Sequence, residues 1–481
     1  MICRQNATIV DALPCKPDKK KRPMDNDTRT RRAALIVAIT GSFITPFMGS
    51  SINVALPAIA HTFDIDAVLL SWIPTAYLLA IGITLLPMGK VADIHGRKKI
   101  MLLGFILFNI SSLLLSFAGS VHALILFRVV QGVGSGMFFG TTMAVLTSVY
   151  PPHERGRVLG IAVSAVYVGL SSGPFLGGVL TQHFSWRSLF VMTFLLSLVV
   201  VYLIHFKLKG EWADAPGEPF DVVGSLIYAL ALIVLILAVS ILPDKKSIGM
   251  ITFSVLLLTA FFIWEKKVRN PIFHIDLLLK NRAFAFSNLA ALIHYSATFG
   301  INFLMSLYLQ YIKGLDAQTA GFVLVSQPVM MALFSPLAGR ISDRIEPRLI
   351  SSAGMALTFG GLVLLSKITS ETRLICLVGV LLMLGTGFAL FSSPNMNAIM
   401  SSVDRRFLGV ASGSAATMRV LGQLFSMGTA TLILSLIMGR VPITPAVYPQ
   451  LIVSIIRVLY IFCGLTLMGI FASLARGNVH K

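Results

Sequence analysis

The sequence is poor in charge, and poorest in negative charge. Only 12% of its 481 residues are Asp, Glu, Lys or Arg, roughly half of what a soluble domain carries. Twenty residues are acidic against 39 basic, and every acid falls in the N-terminal tail, in a connection or at the edge of an apolar run. Cysteine is equally sparse. Cys3, Cys15, Cys376 and Cys463 have neither metal-ligand nor disulfide-framework spacing, which excludes a cysteine-held metal and a disulfide scaffold. No Walker-type phosphate loop, no zinc-ligand set and no nucleophile–base group is present. Enzymatic chemistry therefore has no foothold, and neither a metal nor a cofactor is expected. Residues 1–32 are polar and basic and lack the apolar stretch of a signal peptide, so they read as a disordered tail.

What the chain has is apolar length. Hydrophobic residues make up 56% of it, and runs long enough to cross a bilayer recur from about Ala33 to the C-terminus. Backbone groups in lipid must be satisfied within the segment, and these runs are too long for barrel strands, so an all-α membrane protein is expected. Fourteen spans can be placed. If the tail is cytoplasmic, 29 basic residues fall on the cytoplasmic side and 7 on the outside, with Arg128, Arg419 and Arg457 inside spans. That asymmetry is the positive-inside pattern, and it puts both termini in the cytoplasm of a cell-membrane protein. The net charge of +19 then reflects topology, and no nucleic-acid partner is expected.

A repeat divides the chain. Gly89, Lys90 and Asp93 match Gly339, Arg340 and Asp343 at a constant offset of 250, and the same offset relates Glu154-Arg155 to Asp404-Arg405. Two homologous bundles explain this. The offset is too long for six helices alone and leaves room for two more. The expected order is a six-helix bundle over 33–206, two inserted helices with flanking loops over 207–282, a second six-helix bundle over 283–475 and a short tail over 476–481.

Three motifs make the chain resemble a major facilitator superfamily transporter, and within it the fourteen-helix drug:proton antiporter branch of the EmrB/QacA type. The first is GKVADIHGRKK, residues 89–99 between the second and third spans, which follows the G-x-L-A-D-x-x-G-R-K pattern with Val91 for Leu. The second is RVVQGVGSG, residues 128–136, similar to R-x-x-Q-G-x-G. The third is GLSSGPFLGG, residues 169–178 in the fifth span, similar to the element associated with exporters. The resemblance implies the major facilitator fold and a monomer. It implies alternating access, most simply an efflux pump for small organic molecules coupled to protons.

The residues suggest how such a machine is built. Asp93 is expected to accept hydrogen bonds from Arg97 and to face a helix N-terminus of the other bundle when the cytoplasmic side is shut. Gly89 and Gly96 would permit close backbone approach. Gly339 and Asp343 repeat the pattern in weakened form, because Glu346-Pro347 stands where Gly96-Arg97 stood. Gly169, Gly173 and Gly177 share one helix face and would admit a neighbouring helix, with Pro174 and Gly178 beside them.

The acid that the branch carries in its first span is missing. Met48 occupies its place, five residues before Asn53. What remains inside the spans is basic or neutral. Arg128 with Gln131, and Arg419 with Gln423, suggest two polar patches facing a central cavity, with Asn53, Asn302, Gln327 and Asn395 as further candidates and His294 as a substitute proton carrier. With arginines present and acids absent, an amphipathic substrate bearing an anionic group is expected. An uncoupled carrier of an anionic metabolite is the alternative. A fold-retaining receptor without transport is a third reading, against which the intact motifs argue.

Overall fold

The computed structural model describes residues 28–242, 244–404 and 408–477. Fourteen helices in it are long and apolar enough to cross a membrane. The first bundle contains α1 (Thr30–Phe63), α2 (Ala67–His95), α3 (Arg97–Ser116), α4 (Val121–Val149), α5 (Gly160–His183) and α6 (Arg187–Lys207). An inserted hairpin follows, α7 (Val222–Ser240) and α8 (Lys245–Glu265). The second bundle contains α9 (Arg282–Ile312), α10 (Ala317–Ser342), α11 (Pro347–Leu365), α12 (Leu374–Ser401), α13 (Leu408–Met438) and α14 (Pro445–Ala475). A short helix, Ile275–Lys280, lies between hairpin and second bundle. An even number of crossings puts both described ends on one face, called here the terminal face; the other is the far face.

The helix ends follow the chemistry of their boundary residues. Asp66, Ser120, Asp221 and Asp316 cap α2, α4, α7 and α10 by accepting N–H groups of the first turn. Gly96 breaks the chain between α2 and α3 at φ +115°, a conformation that side chains rarely adopt. Two helices end in a widened turn, over Leu203–Lys207 and Tyr308–Ile312.

Two boundaries differ from the sequence reading. The helix to which the α1 span belongs runs Thr28–Phe63, so it starts inside the stretch assigned to the tail. Tyr150 donates to the Arg31 carbonyl at 2.8 Å and Arg31 reaches Glu154 at 3.5 Å, which holds the early turn in place. At the other end Arg476 is not part of a free tail. It is 1% exposed, and its guanidinium donates to Asn395 Oδ1 at 3.0 Å and to Ser473 Oγ at 2.5 Å. Cys3, Cys15 and the rest of the basic tail lie outside the described residues, as does Arg405.

Hydrogen bonds that join the bundles cluster toward the far face. Ser306 donates to the Asn53 carbonyl at 2.6 Å, and Gln310 to the Val54 carbonyl at 2.9 Å. The Ser71 and Thr431 hydroxyls meet at 2.8 Å, and His183 meets Gln318 at 2.9 Å. Toward the terminal face the surroundings empty out: a Cβ added at Gly160 of α5, or at Gly409 or Gly413 of α13, would meet nothing within 4 Å. The molecule is closed on the far face, and its bundles part toward the terminal face.

Candidate functional site

At the terminal end of α2, Arg97 Nε donates to Asp93 Oδ1 at 2.8 Å and its Nη1 to Ser148 of α4 at 2.9 Å. The loop's other partner is not the second bundle. The segment leading from α6 to α7 crosses it: Arg97 Nη2 reaches Asp214 at 2.5 Å, the Arg97 N–H donates to the Trp212 carbonyl at 2.8 Å, and the Ala215 N–H donates to the Asp93 carbonyl at 2.9 Å. Glu211 accepts the Lys98 N–H at 2.8 Å and Glu218 accepts Lys90 at 2.7 Å. An acidic strap thus lies on the basic loop. A Cβ on Gly96 would collide with the side chain of Glu211, whereas Gly89 has nothing within 4 Å. In the second copy Asp343 takes a weaker bond from Asn397, 3.3 Å, and a Cβ on Gly339 would meet Ser393 Oγ at 2.8 Å.

The glycines of α5 divide their work. Gly169, Gly173 and Gly177 lie on α1: added Cβ atoms would meet the Phe43 carbonyl, Ser50 with the Phe47 carbonyl, and Ser51. Gly178 faces the second bundle, with the Ala317 carbonyl 2.5 Å from its would-be Cβ. The Pro174 carbonyl lies against Gly321 of α10. Three glycines therefore seat α1 within the bundle, while Gly178 and Pro174 form the far-face seam.

The buried polar candidates separate in the same way. Arg128 is fully buried inside the first bundle. It donates to Gln131 Oε1 at 2.6 Å and to the Ile73 carbonyl at 3.3 Å, and stands 4.0 Å over the Tyr77 ring. Gln131 passes the bond on to Ser112 at 2.8 Å. This pair does not open onto a shared cavity here, contrary to the two-patch expectation, because its own helices close over it. His294 is also fully buried, 4.0 Å from the Phe391 ring and 5.1 Å from that of Phe388, with no partner for either ring nitrogen among the described residues. A charge placed there would have nothing to balance it, which argues against His294 as a proton carrier in this state. Asn395 belongs to the Arg476 network and donates to the Ser287 carbonyl at 3.1 Å, so it locks helices of the second bundle and does not line a cavity. Asn53 Oδ1, Asn302 Oδ1 and Gln327 Oε1 are buried without a hydrogen-bond partner among the described residues.

Arg419 differs from all of these. It is half-buried near the middle of α13, and its guanidinium sits 4.8 Å over the ring of Phe139 from α4, across the bundle boundary. Tyr295 of α9 is within interaction range of both Arg419 and Tyr167 of α5. Phe139 and Ala416 pack against a buried cluster of Tyr77, Ile81 and Leu85 from the first bundle and Val420 from the second, so residues of both bundles meet beside Arg419. Gln423, four residues on, is half-buried on the same helix. Among the described residues no carboxylate pairs with Arg419. Sequence reading found Arg419 but not its aromatic neighbours, because their meeting depends on how two bundles dock.

The comparisons with known proteins place this geometry. The sequence profile of the Major Facilitator Superfamily matches residues 38–427. The chain belongs to the Major Facilitator Superfamily. It is 31% identical over 398 residues to the riboflavin transporter RibZ of Clostridioides difficile (strain 630), covering 82% of this chain and 86% of that protein. It is 28% identical over 403 residues to the multidrug resistance protein Stp of Mycobacterium tuberculosis (strain CDC 1551 / Oshkosh), covering 82% and 74%. Among solved structures, the fold matches a D-xylose–proton symporter with a TM-score of 0.65 at 14% identity over 93% of this chain and 97% of that one. It matches a bacterial homologue of the lysosomal transporter Spinster, in an inward-facing and unoccupied conformation, with a TM-score of 0.67 at 15% identity over 94% and 97%. This Major Facilitator protein is thus a multi-pass membrane transporter of small molecules, in a transporter family and not an enzyme family. Arg419 lies where its two bundles part.

Proposed function

We propose that this transporter is an exporter of the fourteen-helix drug:proton antiporter branch, with the terminal face cytoplasmic and the cell membrane as its site. It moves small amphipathic organic molecules that carry an anionic or strongly hydrogen-bond-accepting group. The observation that carries this reading is the half-buried Arg419 between the bundles, flanked by Phe139 and Tyr295 and, among the described residues, without a paired carboxylate. A guanidinium stays charged at any working pH and presents several donors in one plane, while the aromatic faces suit a flat apolar body. The names of relatives fit: RibZ is a riboflavin transporter, and Stp and MdtP of Bacillus subtilis are a multidrug resistance protein and a multidrug transporter. Cations are poorer cargo, since among the described residues no acid pairs with Arg419.

The test begins with thermal stabilisation of the purified protein by flavins and by matched anionic and cationic aromatic compounds, repeated across pH. Transport of the hits into proteoliposomes follows. Anionic or acceptor-rich compounds should stabilise it, and Arg419→Ala should lower transport at least tenfold, about 1.4 kcal/mol of lost interaction. Cations stabilising it preferentially, or Arg419→Ala transporting like the parent, would remove the proposal.

A second reading is favoured by Met48, fully buried where the branch carries an acid. It is an uncoupled carrier of an anionic metabolite. Proteoliposomes with and without a pH gradient separate the two: the exporter accelerates with the gradient, the uncoupled carrier does not.

A further inference from the structure

Among the described residues, Asp221 and Glu265 are the only buried acids, 7% and 3% exposed. They come from opposite ends of the inserted hairpin. Asp221 caps the start of α7, and Glu265 is the last residue of α8, so the antiparallel pairing of the two helices brings them together at the terminal face. Their oxygens are unequally served. Asp221 Oδ1 accepts the Gly224 N–H at 2.9 Å, and the Trp264 indole N–H lies 3.1 Å from Oδ1 and 3.2 Å from Oδ2. Glu265 Oε2 accepts the Phe273 N–H at 3.0 Å. Glu265 Oε1 is buried with no hydrogen-bond partner among the described residues. Asp221 Oδ2 and Glu265 Oε1 converge over Gly224: a Cβ added there would run into the first and would lie 2.7 Å from the second.

The surroundings do not neutralise this pair. Lys90 of α2 is engaged by Glu218 at 2.7 Å, and Asp276 and Lys280 of the short helix face each other at 3.6 Å. Lys266, Lys267 and Arg269 are exposed on the loop after α8, and none of them forms an ion pair with either acid among the described residues. His274 follows Phe273, and burial, with Lys90 nearby, pushes its proton affinity down, partly offset by Asp276. Two carboxyl groups that converge on one point out of water cannot both ionise. Asp221, with two N–H donors and the start of a helix, is the better place for the charge. Glu265, whose Oε1 has no hydrogen-bond partner among the described residues, is the better place for a proton, donated from Oε1 to Asp221 Oδ2.

We propose that Asp221 and Glu265 form a proton-binding site that holds one shared proton at the terminal end of the inserted hairpin. The site does not depend on what the central cavity carries. Its position has a mechanical consequence. Tyr228 of α7 donates to the Gly82 carbonyl of α2 at 3.1 Å, and Ile236 and Val239 would lie 3.8 Å and 3.7 Å from a Cβ on Gly428 of α13. The proton therefore sits at the base of an element seated against one helix from each bundle.

Infrared spectroscopy of the full chain in lipid nanodiscs tests this through the carbonyl stretch of a protonated carboxyl, followed by pH titration. At about pH 7 the parent should show this band, because one member of a carboxyl pair holds its proton well above the usual carboxylate range. Glu265→Gln should abolish it. Asp221→Asn leaves Glu265 without a neighbouring charge, so the band should persist only to a lower pH. Far-ultraviolet circular dichroism and melting curves check that both variants are folded. A parent spectrum without the band, a band that survives Glu265→Gln, or a titration unmoved in folded Asp221→Asn would each overturn the proposal.

Discussion

Arg128 and Arg419 look alike in a sequence and behave oppositely in the fold. Each lies within a span, and each precedes a glutamine by three or four positions. Arg128 is spent on its own bundle, holding Gln131, the Ile73 carbonyl and the Tyr77 ring together out of water. Replacing it with Ala should cost stability, roughly 1–2 kcal/mol from lost packing and an unpaired Gln131, and should lower the melting temperature before it alters selectivity. Arg419→Ala should do the reverse, leaving melting nearly unchanged while transport falls. Melting curves and transport assays on the two variants check this pairing. The difference was not legible in the sequence, because it depends on whether the facing surface belongs to the same bundle or the other one. Arg476 makes the same point. It reads as a tail residue, and only the fold shows it buried on Asn395.

At the scale of elements, the spacing of glycines was informative and its partners were not. The four-residue interval of Gly169, Gly173 and Gly177 places them on one face, and the structure seats α1 there. Gly178 is turned onto α10 of the other bundle. Leu at the two kinds of position should therefore fail in different ways. Gly173→Leu collides with Ser50 and the Phe47 carbonyl of α1 and should destabilise the first bundle by about 1–3 kcal/mol. Gly178→Leu blocks the seam with Ala317 and should leave the bundle's stability intact while keeping the far face from closing. Accessibility of single cysteines to a membrane-impermeant thiol reagent added on the far side reads this directly: labelling should rise in Gly178→Leu and not in Gly173→Leu. The repeat at an offset of 250 was likewise visible in the sequence, and in its second copy Asp343 accepts a bond from Asn397 at 3.3 Å, with no ion pair to an arginine among the described residues. The strap carrying Glu211, Asp214 and Glu218 gave no such signal. Its three acids read as ordinary loop charge until the fold lays them on Lys90, Arg97 and Lys98. The convergence of Asp221 and Glu265 was hidden for a similar reason, since the hairpin alone makes neighbours of residues so distant in the chain.

For the molecule as a whole, the fourteen apolar runs and the internal repeat lead to the fold because a bilayer leaves few alternatives to helices of this length. The conformational state is another matter, since one sequence must encode both. Here the bundles are joined toward the far face by Ser71 with Thr431, Ser306 with the Asn53 carbonyl and Gly178 with α10. Transport by alternating access requires that these contacts break in every cycle. A cysteine pair at Ser71 and Thr431, introduced with the native cysteines removed, puts the claim to its most direct test. The hydroxyls meet at 2.8 Å, so a disulfide should form readily when the far face is shut. Oxidation should abolish transport and reduction should restore it. An oxidised, fully cross-linked protein that transports at the rate of the reduced one would contradict the account.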